Sequence, residues 1–217
     1  DYPQRALLWI PTTLPTPAAE EFYVQWAQTL LTLCDRIDGG VLALFSSYRA
    51  LNETYEHLAN VCHKPLLIHR PGVNRNELLR RFRQQGNALL LATGSFWEGV
   101  DVCGEALSCV AIDKLPFAAP EDLVSLAWQM LARGNQHHWF NDYMVPQTLI
   151  RLRQGVGRLL RSTEDRGLVV LGDHRILKKA YGPKILKALP PMPLTESLAE
   201  VVLFLSQQVL SSDIATC

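Results

Sequence analysis

Along the chain, continuous apolar runs alternate with stretches in which apolar residues recur every three or four positions. Val41–Phe45 (VLALF), Leu66–Ile68, Ala88–Ala92 (ALLLA), Ser108–Ile112 (SCVAI) and Leu168–Leu171 (LVVL) are the runs. Their unbroken hydrophobicity predicts strands covered on both faces, as in a parallel sheet. Leu7–Ile10 predicts a further edge or added strand. Between the runs, Phe22, Trp26, Leu30 and Leu33 keep helical spacing, with Thr16 as the expected N-cap and Pro17 at the first helical position. Further helices are expected over about 48–60 and in the arginine-rich stretch after Asn74. Strands alternating with helices predict βαβ units, so the expected fold is α/β: a parallel sheet with helices on both faces.

Two segments depart from that alternation. Pro116–Pro146 is too long for a plain connection and reads as a helical insertion, with a helix around Asp122–Ala132 and an aromatic cluster of Trp139, Phe140 and Tyr143. The last segment, 197–210, predicts an amphipathic helix. Leu198, Val201, Val202, Leu205 and Val209 form its apolar stripe, and Ser197 with Glu200 forms a capping box. Otherwise residues 1–217 read as one domain.

The most informative helix is Gln147–Ser162, QTLIRLRQGVGRLLRS. At about 100° per residue, Gln147, Arg151, Gln154, Arg158 and Arg161 share one polar stripe, opposite Leu149, Leu152, Val156, Leu159 and Leu160. Gly155 and Gly157 each cost about 1 kcal/mol against Ala in a helix interior, so something is expected to approach closely there. Planar guanidinium forks at this spacing suit phosphate. The alternative is an ordinary solvated basic face.

Net charge sharpens this expectation. The 217 residues sum to +0, with 48% hydrophobic and 19% charged positions. The chain can bury a real core, and no global field draws it to a polyanion, so any phosphate site depends on local arginine clustering. Five cysteines, without a C-x-x-C pair, favour free thiols in a reducing compartment over disulfides or zinc. No signal peptide or long apolar run is visible, so a cytoplasmic location and no membrane partner are expected. The start at Asp1 suggests a piece of a longer protein.

In open α/β sheets ligands sit beyond the carboxyl ends of the strands. Three stretches fall there: Ser46-Ser47-Tyr48, the loop Thr93–Gly104 (TGSFWEGVDVCG), and the Gln154 helix. The first offers hydroxyls and a helix start to a phosphate, or a simple helix cap. The second offers Thr93 and Ser95 hydroxyls, Trp97, and the acids Glu98 and Asp101 among three glycines; a glycine-rich loop around a buried Trp is its plainer reading. The six histidines show no metal or triad spacing and are expected mostly on the surface.

Gln154-Gly155-Val156-Gly157-Arg158-Leu159-Leu160-Arg161 resembles the last motif of superfamily 2 helicases, Q-x-x-G-R-x-x-R. Thr93–Asp101 resembles the preceding motif, ending Gly-x-Asp, and VLALFSSY resembles the fourth. With FWEGVD, KLPFAAP and RGLVVLGDHR, the ordered set is similar to the DinG/XPD branch and, within it, to YoaA-like helicases. That resemblance covers nearly the whole chain. It implies a second RecA-like motor domain of an ATP-dependent, 5′–3′ DNA helicase acting in repair or replication.

It further implies that Arg161 and Arg158 meet the γ- and β-phosphates as arginine fingers, with Gln154 positioning water or phosphate. Glu98, Gly99 and Asp101 would sit at the nucleotide. Ser46, Ser47, Thr93 and Ser95 would touch single-stranded DNA, with Trp97 stacking or simply packing. ATP and Mg2+ would be shared with a first domain, because no G-x-x-x-x-G-K-[ST] and no D-E-x-H occurs here. A 4Fe-4S cluster would belong to that other half, and no metal is expected in this chain. Alone, the chain is expected to be inactive and to bind DNA weakly, with steep salt dependence. The implied partners are single-stranded DNA, the N-terminal half of the same helicase, and a DNA polymerase III accessory (chi) subunit at the C-terminal end. The competing reading is an interaction module docking a replication or repair partner through its last helix, and a third is a phosphate-binding enzyme of another α/β family.

Overall fold

The computed structural model describes residues 2–97, 107–118, 123–132, 138–159 and 166–214. After a single turn, α1 (Tyr2–Arg5), the elements run β1 (Ala6–Trp9), α2 (Phe22–Cys34), β2 (Gly40–Phe45), α3 (Tyr48–Leu58), β3 (Leu66–Ile68), α4 (Arg75–Gln85), β4 (Leu89–Thr93) and β5 (Leu107–Ile112). Then follow α5 (Leu123–Ala132), a π-helical turn (Phe140–Met144), α6 (Val145–Val156), β6 (Gly167–Leu171), α7 (Arg175–Lys178), α8 (Gly182–Ala188), β7 (Leu194–Thr195) and α9 (Leu198–Ile214). The strands form one sheet in the order β3-β4-β2-β5-β6-β1-β7, and every pairing is parallel. The expected parallel α/β architecture is therefore present.

The sheet divides the core by strand periodicity. Leu42, Leu44, Leu90, Ala92, Val110 and Ile112 face one side, where α4, α6 and α8 pack with Phe82, Leu152 and Ile185. Val41, Ala43, Phe45, Leu89, Leu91 and Ala111 face the other, under α2, α3 and α9 with Trp26, Leu51 and Val201. Alternate side chains point to opposite faces, and both faces are covered, so each strand reads as one apolar run. The Leu7–Ile10 run is not an edge: β1 lies between β6 and the two-residue β7, which the prolines at 190–193 hid.

Several helix ends differ from expectation. Residues 17–21 make successive turns, with Ala19 N donating to Thr16 O and Phe22 N to Ala19 O, and α2 begins only at Phe22. The residues that bury their side chains, Phe22, Trp26, Leu30 and Leu33, start there, so packing rather than capping sets its origin. At α9 the Ser197 amide donates to Thr195 Oγ1 at 2.9 Å, which takes the group a capping box would give to Glu200. Its stripe is also divided: Val201 and Leu205 are buried, while Leu198 and Val202 are exposed. His69 and His174 are buried, not superficial.

Candidate nucleic-acid cleft at the strand ends

The carboxyl ends of β2, β4 and β5 converge on a cleft of about 320 Å³ lined by Ser46, Thr93, Gly94, Trp97, Pro116, Phe117 and Arg151. Each wall has a local cause. β4 ends in extended backbone at Thr93, and Gly94 turns the chain with φ 59°, a left-handed value that favours glycine. A single 3-10 turn, Gly94–Phe96, follows and carries Ser95. It delivers Trp97 into the core at 5% exposure, where its Nε1 donates to Phe45 O at 3.0 Å. The indole is thus a packing group that ties β4 to β2, and its stacking role on a DNA base is not supported.

Gly155 explains how α6 approaches. A Cβ there would lie 3.2 Å from both Leu44 Cδ1 and the Trp97 ring, so the missing side chain lets the helix settle on β2 and the indole. The expected close neighbour is this internal packing. The helix ends at Val156, with Gly157 as its C-cap, so the polar stripe read over 147–162 is not continuous. Gln147, Arg151 and Gln154 stay on α6, and Gln154 is exposed. Arg158 lies beyond the helix end at 5% exposure, and its Nη2 donates to Trp97 O at 2.7 Å. Burial lowers its pKa from the ordinary arginine value, with Arg75 nearby adding to that effect. Arg158 therefore anchors the Trp97 loop rather than presenting a fork to solvent. Arg161, Glu98, Gly99 and Asp101 lie outside the described residues.

Ser46 and Ser47 divide their tasks. Ser47 Oγ accepts from Ala50 N at 3.2 Å and caps α3, as the simpler reading anticipated. Ser46 leans toward Asp113: its amide donates to Oδ1 at 3.2 Å and its hydroxyl to Oδ2 at 3.3 Å. Asp113 is fully buried and also accepts from Lys114 N at 2.7 Å. Burial pushes its pKa up to about 7, against the opposing pull of Lys114 and these donors. Across the cleft, Leu115 N donates to Asp173 Oδ2 at 3.2 Å, just before the lining residues Pro116 and Phe117. Asp173 is clamped by Arg175, Nε to Oδ1 and Nη2 to Oδ2, both at 2.7 Å. Arg151 Nη1 reaches Pro116 O at 3.4 Å and closes the same wall.

Two carboxylates thus brace the opposite walls, and sequence reasoning missed the role of both. For Asp113 the signal was available: an acid immediately following the apolar end of a strand, Cys109–Ile112. The Asp173 carboxylate also accepts from Arg175 N at 3.2 Å, at the start of α7. His69 was missed too. It packs on Phe96 with ring centroids 4.7 Å apart, and burial lowers its pKa.

The helicase C-terminal domain family matches residues 30–192. The ATP-dependent DNA helicase YoaA of Escherichia coli (strain K12) is 37% identical over 206 residues, which cover 95% of this chain and 32% of that protein. The YoaA of Haemophilus influenzae is 36% identical, covering 96% of this chain and 32% of that one. Among solved structures, an XPD helicase superposes with a TM-score of 0.66 at 18% identity, covering 88% of this chain and 36% of its own, a likeness of fold alone. The chain thus spans about a third of the length of these relatives.

Proposed function

Because this chain belongs to the helicase C-terminal domain family, we propose that it serves as the second motor domain of an ATP-driven DNA helicase. In this reading it grips one DNA strand at its strand ends and lends arginine to ATP bound against another domain. The observation that carries the reading is the cleft: Thr93, Gly94 and Arg151 line it together at the carboxyl ends of a parallel sheet. Guanidinium and hydroxyl donors around close-approach backbone suit a phosphodiester. The Ser46 hydroxyl is engaged by Asp113, so Thr93 and Arg151 are the principal donors. Ser47 caps the α3 N-terminus beside them, and Ser95 lies in the turn that follows β4.

For the nucleotide, Arg161 is assigned the arginine-finger role and Gln154 the positioning of water or γ-phosphate. Glu98, Gly99 and Asp101 would relay nucleotide state along the loop that Trp97 and Arg158 anchor. That anchor links the nucleotide side to the strand-gripping side: Arg158 holds the Trp97 carbonyl, and Trp97 holds the end of β2 beside Ser46. In this reading Mg2+ comes with the ATP shared with the first domain, and the 4Fe-4S cluster belongs to that other half. When present, Mg2+ would neutralise charge on the β- and γ-phosphates. No helix among the described residues is long and apolar enough to cross a membrane. The N-terminal half of the same helicase is the partner this reading requires. A polymerase accessory (chi) subunit at α9 is a narrower proposal, supported by the exposure of Leu198, Val202 and Leu203.

The test uses the full-length protein. Arg161→Ala is expected to abolish DNA-stimulated ATP turnover while leaving single-strand affinity intact. Arg151→Ala is expected to weaken single-strand binding and to lower the salt slope by about 0.7 per lost phosphate contact. Wild-type turnover in Arg161→Ala would overturn the nucleotide assignment, and unchanged binding in Arg151→Ala would overturn the cleft.

A further inference from the structure

A second groove, of about 550 Å³, opens on the far side of the Ser46–Ser47 turn. Its lining includes Glu20, Tyr23, Ser47, Arg49, Glu53, His57 and Lys114. Ser46 lines the first cleft, while Ser47 and Lys114 line the second groove.

Charge within the groove is unequally committed. Arg49 donates to Glu53 at 2.7 Å, so that pair is satisfied within α3. Lys114 has no such partner. Its Nζ contacts the neutral Tyr23 hydroxyl at 3.3 Å and forms no ion pair among the described residues. The neighbouring Asp113 carboxylate accepts from the Lys114 amide, not from its ammonium group. Burial, and then the negative charges of Asp113 and Glu53, raise the pKa of Tyr23, so its hydroxyl remains neutral beside Lys114. An ammonium has three donors and no acceptor, so one contact to a phenol leaves donor capacity facing the groove. Glu20 and His57 are the other titratable groups that line it.

Resting on the reading of the first cleft as the strand grip, we propose that Lys114 and Tyr23 form a second phosphate subsite. A single strand leaving the Thr93–Arg151 cleft crosses the Ser46–Ser47 turn and places a phosphate against Lys114 Nζ. The Tyr23 hydroxyl holds the ammonium in place and offers its own hydrogen to the same phosphate. A strand occupying both clefts is gripped on either side of the turn. A strand too short to span it is gripped on one side alone.

Strand length therefore separates this subsite from the first. The experiment titrates fluorescein-labelled oligothymidylates of about 4 and about 16 nucleotides, the range of site sizes common for single-strand binders. They are added to the full-length protein over a series of salt concentrations. Lys114→Met keeps the apolar stem and removes the charge. It is expected to bind the short oligonucleotide as wild type does. On the long one it is expected to lose affinity, with a salt slope reduced by about 0.7. Tyr23→Phe is expected to keep the full slope, because the charge remains, while losing part of the long-strand affinity. Equal losses on both lengths in Lys114→Met, no loss on either, or a fall in thermal stability that accounts for the loss would each overturn the subsite. If wild-type protein bound neither oligonucleotide, the strand-grip reading would fail and the subsite with it. A normal wild-type titration with a length-independent variant would defeat the subsite alone.

Discussion

Asp113 and Asp173 stand one residue and two residues beyond adjacent parallel strands, both fully buried, and each braces one wall of the same cleft. Their partners differ. Asp173 holds a guanidinium fork through two bonds of 2.7 Å. Asp113 holds two amides and one hydroxyl, all neutral, and its pKa rises to about 7. Desolvation disfavours a buried carboxylate, and a bidentate guanidinium opposes it more strongly than neutral donors do. The Arg175 clamp makes Asp173 a fixed strut, whereas Asp113 is a strut whose charge depends on pH.

The largest test removes the clamp. Arg175→Met leaves the Asp173 charge buried without its cation, and a loss of about 3 kcal/mol is expected in urea unfolding. A loss within about 0.5 kcal/mol would mean that the Leu115 and Arg175 amides satisfy Asp173 by themselves, and the contrast with Asp113 would vanish. Next in size is Gly172→Ala. A Cβ at Gly172 would sit 2.6 Å from Asp113 O and 3.0 Å from the Trp26 ring. Backbone cannot yield as a side chain can, so a cost of about 2 kcal/mol is expected from equilibrium unfolding. An unchanged midpoint would show that the two strand ends are less rigidly spaced than the contrast requires.

The smallest difference at pH 7 is expected at Asp113, and its pH dependence sharpens the comparison most. Between about pH 4, where an unfolded aspartate titrates, and about pH 7, folded Asp113 retains a proton that the unfolded chain releases. The unfolding free energy contributed by this residue therefore falls as pH rises through that window, and it levels off above about 7. Asp113→Asn keeps an acceptor for the Ser46 and Lys114 amides and removes the titration. Its stability at pH 7 is expected within about 1 kcal/mol of wild type. The difference between the two proteins, measured by urea unfolding at successive pH values, should follow the predicted slope. A constant difference across the window would show that folded Asp113 titrates no higher than it does in the unfolded chain, and that its charge is not pH-dependent in this range.

Residue by residue, the two levels of information separate clearly. The runs at 41–45, 88–92 and 168–171 announced the parallel sheet, because a strand covered on both faces has no polar positions to interrupt it. Ser46, Thr93 and Arg151 were legible as candidates because strand ends and helix spacing localise them in the chain itself. Helical periodicity continued through Arg158 and Leu159 and so concealed the end of α6 at Gly157. An angle calculated along one ideal helix says nothing once the chain leaves that helix. By itself, the sequence determined the fold class, the order of the main strands and the family, since each rests on local patterning and ordered motifs. Tertiary structure alone decided that Trp97 is a tie and not a platform, that Arg158 is an anchor, and that two aspartates 60 residues apart brace one cleft. Burial and partner identity are properties of neighbours distant in the chain, and only the folded arrangement brings those neighbours together.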